Sequence, residues 1–184
     1  MTISIKPTAS GSTIEQDGST ILTVDGSGNI SAENNFTATG HVLQTVEFTN
    51  NTQVIVNTTV VAINTPYDTL TKATITPSST SSKILIFVQQ SWFQSATSGS
   101  QGMGFRVQRD STYITTPAAY SSTYQGASVR SHGFTPIIAY DSPNTTSSVT
   151  YTVMGYHHAA NGEVRMQYAG NESPSSIILM EIAG

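Results

Sequence analysis

From residue 41 onward, apolar and polar residues alternate in short runs that predict β-strands. The alternation is clearest at residues 149–153 and 163–168, and a period of two places the apolar side chains on one face of a strand. Residues 84–88 and 177–179 are continuously apolar instead, as in a strand covered on both faces. No window shows apolar residues at helical spacing. Further strands are predicted at residues 42–48, 53–63, 70–76, 105–108 and 176–182. Roughly eight to ten strands with turn residues between them predict an all-β fold, an antiparallel sandwich or barrel.

The first forty residues follow a different pattern. They contain five glycines and only isolated apolar side chains, and Gly-Ser-Thr-Ile occurs twice, at residues 11–14 and 18–21. Asp-Gly dipeptides in this region predict turns between short strands. Two interpretations stay open: a flexible arm, or a thin stalk whose short strands find partners in neighbouring chains. We therefore divide the chain into an N-terminal arm, residues 1–40, and a head domain, residues 41–184.

Composition excludes several classes of protein. Only 10% of the 184 residues are charged, Ser and Thr together number 53, and the net charge is −4. Such a chain cannot neutralise a phosphate backbone, so we expect no nucleic-acid partner. There is no cysteine for a disulfide or a thiolate metal site. No run reaches the roughly 18 apolar residues of a membrane span, and residues 1–10 lack the apolar core of a secretion signal.

Catalytic patterns are missing as well. The carboxylates are scattered singly and no Gly-x-Ser-x-Gly turn occurs, so we predict a protein that is not an enzyme and needs no cofactor. His157 and His158 are adjacent, and neighbouring side chains of a strand point to opposite faces, so the pair cannot ligate one ion within a single chain. We predict no metal site and keep both histidines as candidates for a position on a three-fold axis.

Aromatic side chains mark candidate contact surfaces. Two uncharged stretches, residues 94–102 and 113–126, are predicted as loops. Five aromatic residues border or lie within them: Trp92, Phe93, Tyr113, Tyr120 and Tyr124. Aromatic rings among small polar residues bind sugars or proteins with little loss of conformational entropy. The alternative is that these rings belong to the core or to a subunit interface, where large aromatics are usually buried.

Several stretches of the head carry a resemblance to one known family. They are Val42–Val46, the Ile-Thr-Pro-Ser-Ser turn and strand at Ile75–Ile86, Gly104–Ser111, Asp141–Pro143 and Ile178–Gly184. Together they resemble the C-terminal domain of tail-fibre-like virion proteins of tailed bacteriophages, especially those of marine and cyanobacterial hosts. The preceding stretch, from Leu22–Ile30 through Ala38–Gly40, resembles the repetitive stalk of such fibres.

The resemblance implies a homotrimeric, jelly-roll-like β-sandwich, related in shape to tumour-necrosis-factor heads, made in the host cytoplasm and displayed on the outside of a phage particle. A three-fold assembly would cover the second apolar face of strands such as residues 84–88. The expected role is a short tail fibre or fibre tip, whose arm docks to another virion protein and whose head contacts a host glycan or protein. A capsid decoration protein that stabilises or studs the phage head is the closest alternative. A glycan-degrading tail spike is a third, disfavoured by the missing carboxylate pair.

Overall fold

The N-terminal unit is a small antiparallel meander. The computed structural model describes residues 3–8, 11–16, 19–32, 39–57, 65–96, 99–115, 119–125, 129–157, 162–168 and 173–184, which form two compact units, Met1–His41 and Val42–Gly184. The first unit contains β1 (Ile3–Thr8), β2 (Gly11–Gln16), β3 (Ser19–Asp25) and β4 (Ile30–Ala32), paired in chain order. Each strand pairs with its neighbour in the same chain, antiparallel throughout.

The turn after β3 shows why its sequence bends there. The Asp25 carboxylate accepts hydrogen bonds from the backbone N–H groups of Ser27 and Asn29, both at 2.9 Å. The side-chain amide of Asn29 donates to the same carboxylate, and this bond is the main reason why the pKa of Asp25 is lowered. Gly28 supplies a φ of 84°, which costs a glycine little.

The second unit contains eleven described strands in two sheets. They are β5 (Val42–Asn50), β6 (Val54–Asn57), β7 (Pro66–Ile75), β8 (Lys83–Ala96), β9 (Gly99–Arg109), β10 (Thr112–Tyr113), β11 (Ala119–Gln125), β12 (Val129–Asp141), β13 (Val149–His157), β14 (Gly162–Met166) and β15 (Ser175–Ile182). All pairings are antiparallel.

The strand order in these sheets is that of a jelly roll. One sheet runs β5-β15-β8-β12 and the other β7-β13-β9-β11. Counted along the chain among these eight strands, the orders are first-eighth-third-sixth and second-seventh-fourth-fifth, which is the jelly-roll connection pattern. The short β14 and β6 extend the first sheet beside the distal half of β8, and β10 pairs with the end of β9. The predicted all-β, jelly-roll-like sandwich is confirmed.

Alternating side chains from both sheets build the core. Along β15 every second residue is buried, and Ile177 and Leu179 are fully so. They join Ile84 and Ile86 of β8, while the second sheet contributes residues such as Phe105. Alternation with one face inward is what a sandwich core requires.

A buried carboxylate ties the last strand to the turn between β7 and β8. Glu181 is fully buried; one carboxylate oxygen accepts hydrogen bonds from the N–H and hydroxyl of Ser78, both at 2.7 Å. The other oxygen accepts one from the Gln44 amide at 2.5 Å. Burial opposes ionisation, but the polar atoms of Ser82, Gln44 and Ser78 outweigh it, so the pKa of Glu181 lies below its ordinary value.

A second clamp joins the two sheets directly. The Asp141 carboxylate on β12 accepts a hydrogen bond from the Tyr151 hydroxyl at 2.7 Å and pairs with Arg109 at 2.6 Å. Tyr151 and Arg109 belong to the opposite sheet. Because burial and the adjacent carboxylate both disfavour a phenolate, the pKa of Tyr151 is strongly raised.

The prediction of loops at residues 94–102 and 113–126 was wrong. Within residues 94–102, β8 continues to Ala96 and β9 begins at Gly99, and within residues 113–126 the chain forms β10 and β11. A stretch of small polar residues lacks the alternation of apolar and polar residues that predicts a strand. Here the backbone nevertheless pairs with strands on both sides, since Gln94 lies between Ser131 of β12 and Val164 of β14. Backbone pairing therefore overrides weak local strand propensity. The predicted strand 53–63 is described only to residue 57.

Candidate functional site

One outer face of the sandwich is apolar where water would be expected. On the sheet β5-β15-β8-β12, register places Phe87 beside Ile138 on one side and Ile178 on the other. Leu85 likewise lies beside Tyr140 of β12 and a methionine of β15. Cross-strand partners share a face, and the residues between them in sequence fill the core. We define the outer apolar face by eight residues: Leu85, Phe87, Phe134, Pro136, Ile138, Tyr140, Ile178 and Met180.

Much of this face is open in the single chain. Ile138 is 70% exposed, Tyr140 53% and Phe134 48%, whereas Phe87 and Ile178 are half-buried. The side chains border a shallow groove of about 390 Å³, lined mainly by Phe87, Phe134, Pro136, Ile138 and Ile178. Single exposed apolar residues are common on proteins, but a contiguous apolar patch marks a binding surface.

The size of the face is that of the apolar centre of a subunit contact. The eight residues lie on three strands about 4.8 Å apart, and along β12 they span three intervals of about 6.8 Å, which gives roughly 300 Å² in projection. The largest apolar patch of an ordinary monomer is about 300–600 Å², and each partner of a standard interface contributes about 800 Å² of accessible surface. The face is therefore a contiguous apolar patch that can form the centre of an interface, the rest of whose area would come from the polar residues around it.

The same face carries almost no charge. Lys83 lies at one end, with its ammonium 5.5 Å from the centre of the Tyr140 ring. Glu47 of β5 stands opposite Ile178 in register. The other positions around the groove, such as Gln89 and Ser176, are uncharged. Two copies of such a face meet with little like-charge repulsion, which would otherwise oppose contact between identical surfaces.

The aromatic candidates occupy different environments. Trp92 is half-buried against the core, and its indole fills the space that a side chain on Gly133 would need, since a Cβ there would be 3.0 Å from the ring. Phe93 is 5% exposed and stacks on Tyr168 with ring centres 4.3 Å apart, so it offers almost no free surface.

The tyrosine candidates lie on the other sheet. Tyr113 is half-buried on β10, and its ring lies 5.3 Å from the guanidinium of Arg106. Tyr120 and Tyr124 belong to β11 and pair in register with Gly104 and Ser100 of β9; their side chains lie outside what the structure describes.

The histidine pair gives no metal centre in the described part of the chain. His157 is fully buried at the end of β13, whereas a side chain on a three-fold axis has to reach the surface of its own subunit. His158 lies outside the described residues. Among the residues that the structure describes, no three metal-ligating side chains come together. No described helix is long and apolar enough to cross a membrane.

Sequence reasoning missed the β12 side of the outer apolar face. Residues 134–140 read Phe-Thr-Pro-Ile-Ile-Ala-Tyr, and every second residue points outward while Ile137 and Ala139 fill the core. The available signal was the run of apolar residues at 136–140, which resembles the two-faced run at 84–88. Only the register joins these two runs on one face.

No model of a known family matches the sequence, and no curated protein matches it. Among solved structures, the chain is similar to one from the infectious bursal disease virus Gx strain, at 14% identity and TM-score 0.41, over 94% of this chain and 47% of that chain.

Two further structures show weaker similarity. The D431N mutant VP2 protein of infectious bursal disease virus, from T=1 particles, matches at 10% identity and TM-score 0.37, over 97% of this chain and 44% of that one. Dimeric latent PorU from Porphyromonas gingivalis matches at 11% identity and TM-score 0.32, over 79% and 14%. The chain thus spans less than half the length of each of these solved chains.

Proposed function

We propose that this protein is a structural component of a bacteriophage virion: a homotrimer whose jelly-roll heads pack through the outer apolar face, and which serves as a short tail fibre or fibre tip that contacts the host surface. The observation that carries the proposal is the outer apolar face itself. It gives a physical reason for assembly in a chain whose sequence resembles fibre heads along most of its length.

A second copy of the chain is the occupant that the face fits best. A strongly charged partner would find few charges to meet, because the eight residues of the face include no acidic or basic side chain, and Lys83 and Glu47 lie at its margin. Burying apolar surface contributes about 25 cal/mol per Å², so covering the face favours association strongly. Closed rotational symmetry lets every copy cover the same surface; the number three comes from the resemblance to trimeric fibre heads.

The test places a charge in the centre of the face. Ile138→Asp leaves the isolated chain nearly unaffected, because the side chain is 70% exposed and exposed substitutions change stability by only about 0.5 kcal/mol. In a trimer the same change buries unpaired carboxylates. Light scattering should therefore give about 58.5 kDa, three times the 19.5 kDa chain, for the wild type, and a mass near 19.5 kDa for the variant.

Ile5→Asp is the matched control. Ile5 is 71% exposed, but it lies on β1 in the N-terminal unit, so this variant should keep the wild-type mass. A wild-type monomer would refute the proposed assembly, and so would an Ile138→Asp variant with an unchanged mass.

The place of the trimer on the particle needs a second experiment. Antibody to the head should label the tail or collar of intact particles if the protein is a fibre. Label spread over the shell would favour the alternative, a capsid decoration protein that stabilises or studs the head. Label on neither would refute a virion role.

A further inference from the structure

An arginine that pairs with no carboxylate of the described residues lies on the outer face of the second sheet. Arg106 stands on β9 between Phe105 and Val107, which are both fully buried in the core, so its side chain points outward. There its guanidinium carbon is 4.8 Å from the centre of the Tyr156 ring and 5.3 Å from that of Tyr113. The cation is held between two aromatic rings.

The charge of Arg106 is not balanced within the described residues. The two other partly buried arginines each pair with a carboxylate, Arg109 with Asp141 and Arg165 with Glu163. Arg106 forms no such pair with a described residue, and its buried Nε has no hydrogen-bond acceptor among them. Cation–π contacts attract a guanidinium, but they do not accept its N–H groups, so one strong donor stays unsatisfied.

Tyr156 does not supply the missing negative charge. Burial, together with the neighbouring hydroxyl of Tyr113, raises the pKa of Tyr156 to about 12. Its phenol therefore stays neutral at physiological pH. No Asp or Glu occurs in the sequence between Asp110 and Asp141, the segment that contains β10 and β11.

The described surroundings of Arg106 are rich in hydrogen-bonding groups and carry no free carboxylate, because Asp68, which register places on the same face opposite Met154, is paired with Lys72 at 3.1 Å. Gln108 follows on the same face of β9 and lies opposite Thr152 of β13. Hydroxyl and amide groups beside aromatic rings are what saccharide hydroxyls and sugar rings contact. This sheet faces away from the outer apolar face, because the two sheets enclose the core between them, so it stays open when subunits pack through the other sheet.

We infer that Arg106, held between Tyr113 and Tyr156, is the anion-binding centre of a saccharide site that takes acidic sugars bearing a carboxylate or a sulfate. The two terminal NH₂ groups of the guanidinium, rather than its buried Nε, form paired hydrogen bonds with the planar or tetrahedral anion, and the side chains of Gln108 and Thr152 contact the sugar hydroxyls. This inference rests on the proposed function, because a head that contacts the host surface has to bind a ligand there.

The test measures saccharide binding to the full-length protein by isothermal titration calorimetry. The probes are a galacturonic acid oligosaccharide, a sulfated galactose oligosaccharide, the neutral galactose oligosaccharide of the same length, and a polyglutamate peptide. We expect binding of one or both acidic saccharides and much weaker binding of the other two. The better of the two acidic probes identifies whether carboxylate or sulfate is preferred.

Arg106→Gln should weaken binding of the acidic saccharide by at least about tenfold, since a hydrogen bond to a charged group is lost. Arg106→Lys keeps the positive charge but loses the planar set of N–H groups that a guanidinium offers. Its affinity for the acidic saccharide should therefore lie between that of the wild type and that of Arg106→Gln. Arg130→Gln is the matched control, because it removes an exposed arginine and should bind like the wild type. Thermal unfolding and light scattering verify that each variant keeps its fold and mass.

Unchanged affinity in both Arg106 variants would overturn the inference, as would a wild type that binds neither acidic saccharide. Equal binding of polyglutamate would overturn the saccharide class in favour of an acidic peptide. If Arg106→Gln does not fold, the Arg106→Lys affinity decides. A failure here leaves the light-scattering mass untouched, so it is distinguishable from a failure of the proposed assembly.

Discussion

Glu181 offers the sharpest test of how the head is held together. Glu181→Gln keeps the shape of the side chain but replaces one carboxylate oxygen by an NH₂ group. In the wild type one oxygen accepts two hydrogen bonds from Ser78 and the other accepts one from Gln44. The new NH₂ group must therefore face a donor, whichever way the amide is turned.

The expected loss of stability follows from these contacts. One charge-assisted hydrogen bond disappears, worth about 1.5–3 kcal/mol, and the bonds that remain become neutral and weaker. We expect the free energy of unfolding to fall by about 3 kcal/mol, in the range for breaking a buried polar network. At roughly 2–4 °C per kcal/mol for a chain of this size, the melting temperature should drop by about 6–12 °C.

The pH dependence gives an independent signature. Because the pKa of folded Glu181 lies below its ordinary value of 4.5, the ionised carboxylate contributes fully above that value and its contribution is lost as pH falls through the folded-state pKa. Wild type and Glu181→Gln should therefore differ at neutral pH and converge in acid. Urea unfolding followed by circular dichroism at several pH values, at one protein concentration, measures both quantities.

Glu47→Gln is the control, since Glu47 lies on the adjacent strand but is exposed. This variant should change stability by no more than about 0.5 kcal/mol at neutral pH. A Glu181→Gln variant as stable as the wild type at neutral pH, or a stability difference that does not shrink in acid, would refute the assigned role of the buried carboxylate.

Three further predictions test other parts of the chain. Asp141→Asn leaves Arg109 without its carboxylate and weakens the Tyr151 bond across the sheets, so denaturant unfolding should show a loss of about 3 kcal/mol. Gly155→Ala would place a Cβ 2.5 Å from the Tyr67 ring and should cost about 1–3 kcal/mol in the same assay; an unchanged midpoint would contradict this packing. Deletion of the N-terminal unit should leave a folded head that no longer joins the particle, as circular dichroism and particle incorporation would show.

The strands of the head were predictable because their local pattern is strong. Residues 149–153 and 176–182 were predicted as strands from alternation or apolar runs, and both are strands in the structure. A strand with one face in the core needs an apolar residue at every second position, so this information is local. By contrast, residues 94–102 have no such pattern, and their strands exist because neighbouring strands pair with them.

The sequence by itself determined the all-β class and the run of apolar residues at 84–88 that needs cover on two sides. Only the tertiary structure decided where the second side lies, because register joins Phe87 to Ile138 and Ile178 across three strands. Only the tertiary structure likewise places Arg106 between two aromatic rings, because Tyr113 belongs to β10 and Tyr156 to β13. Alternation is a property of neighbouring residues, whereas a surface is assembled from strands that lie far apart in the sequence, and no local pattern encodes that pairing.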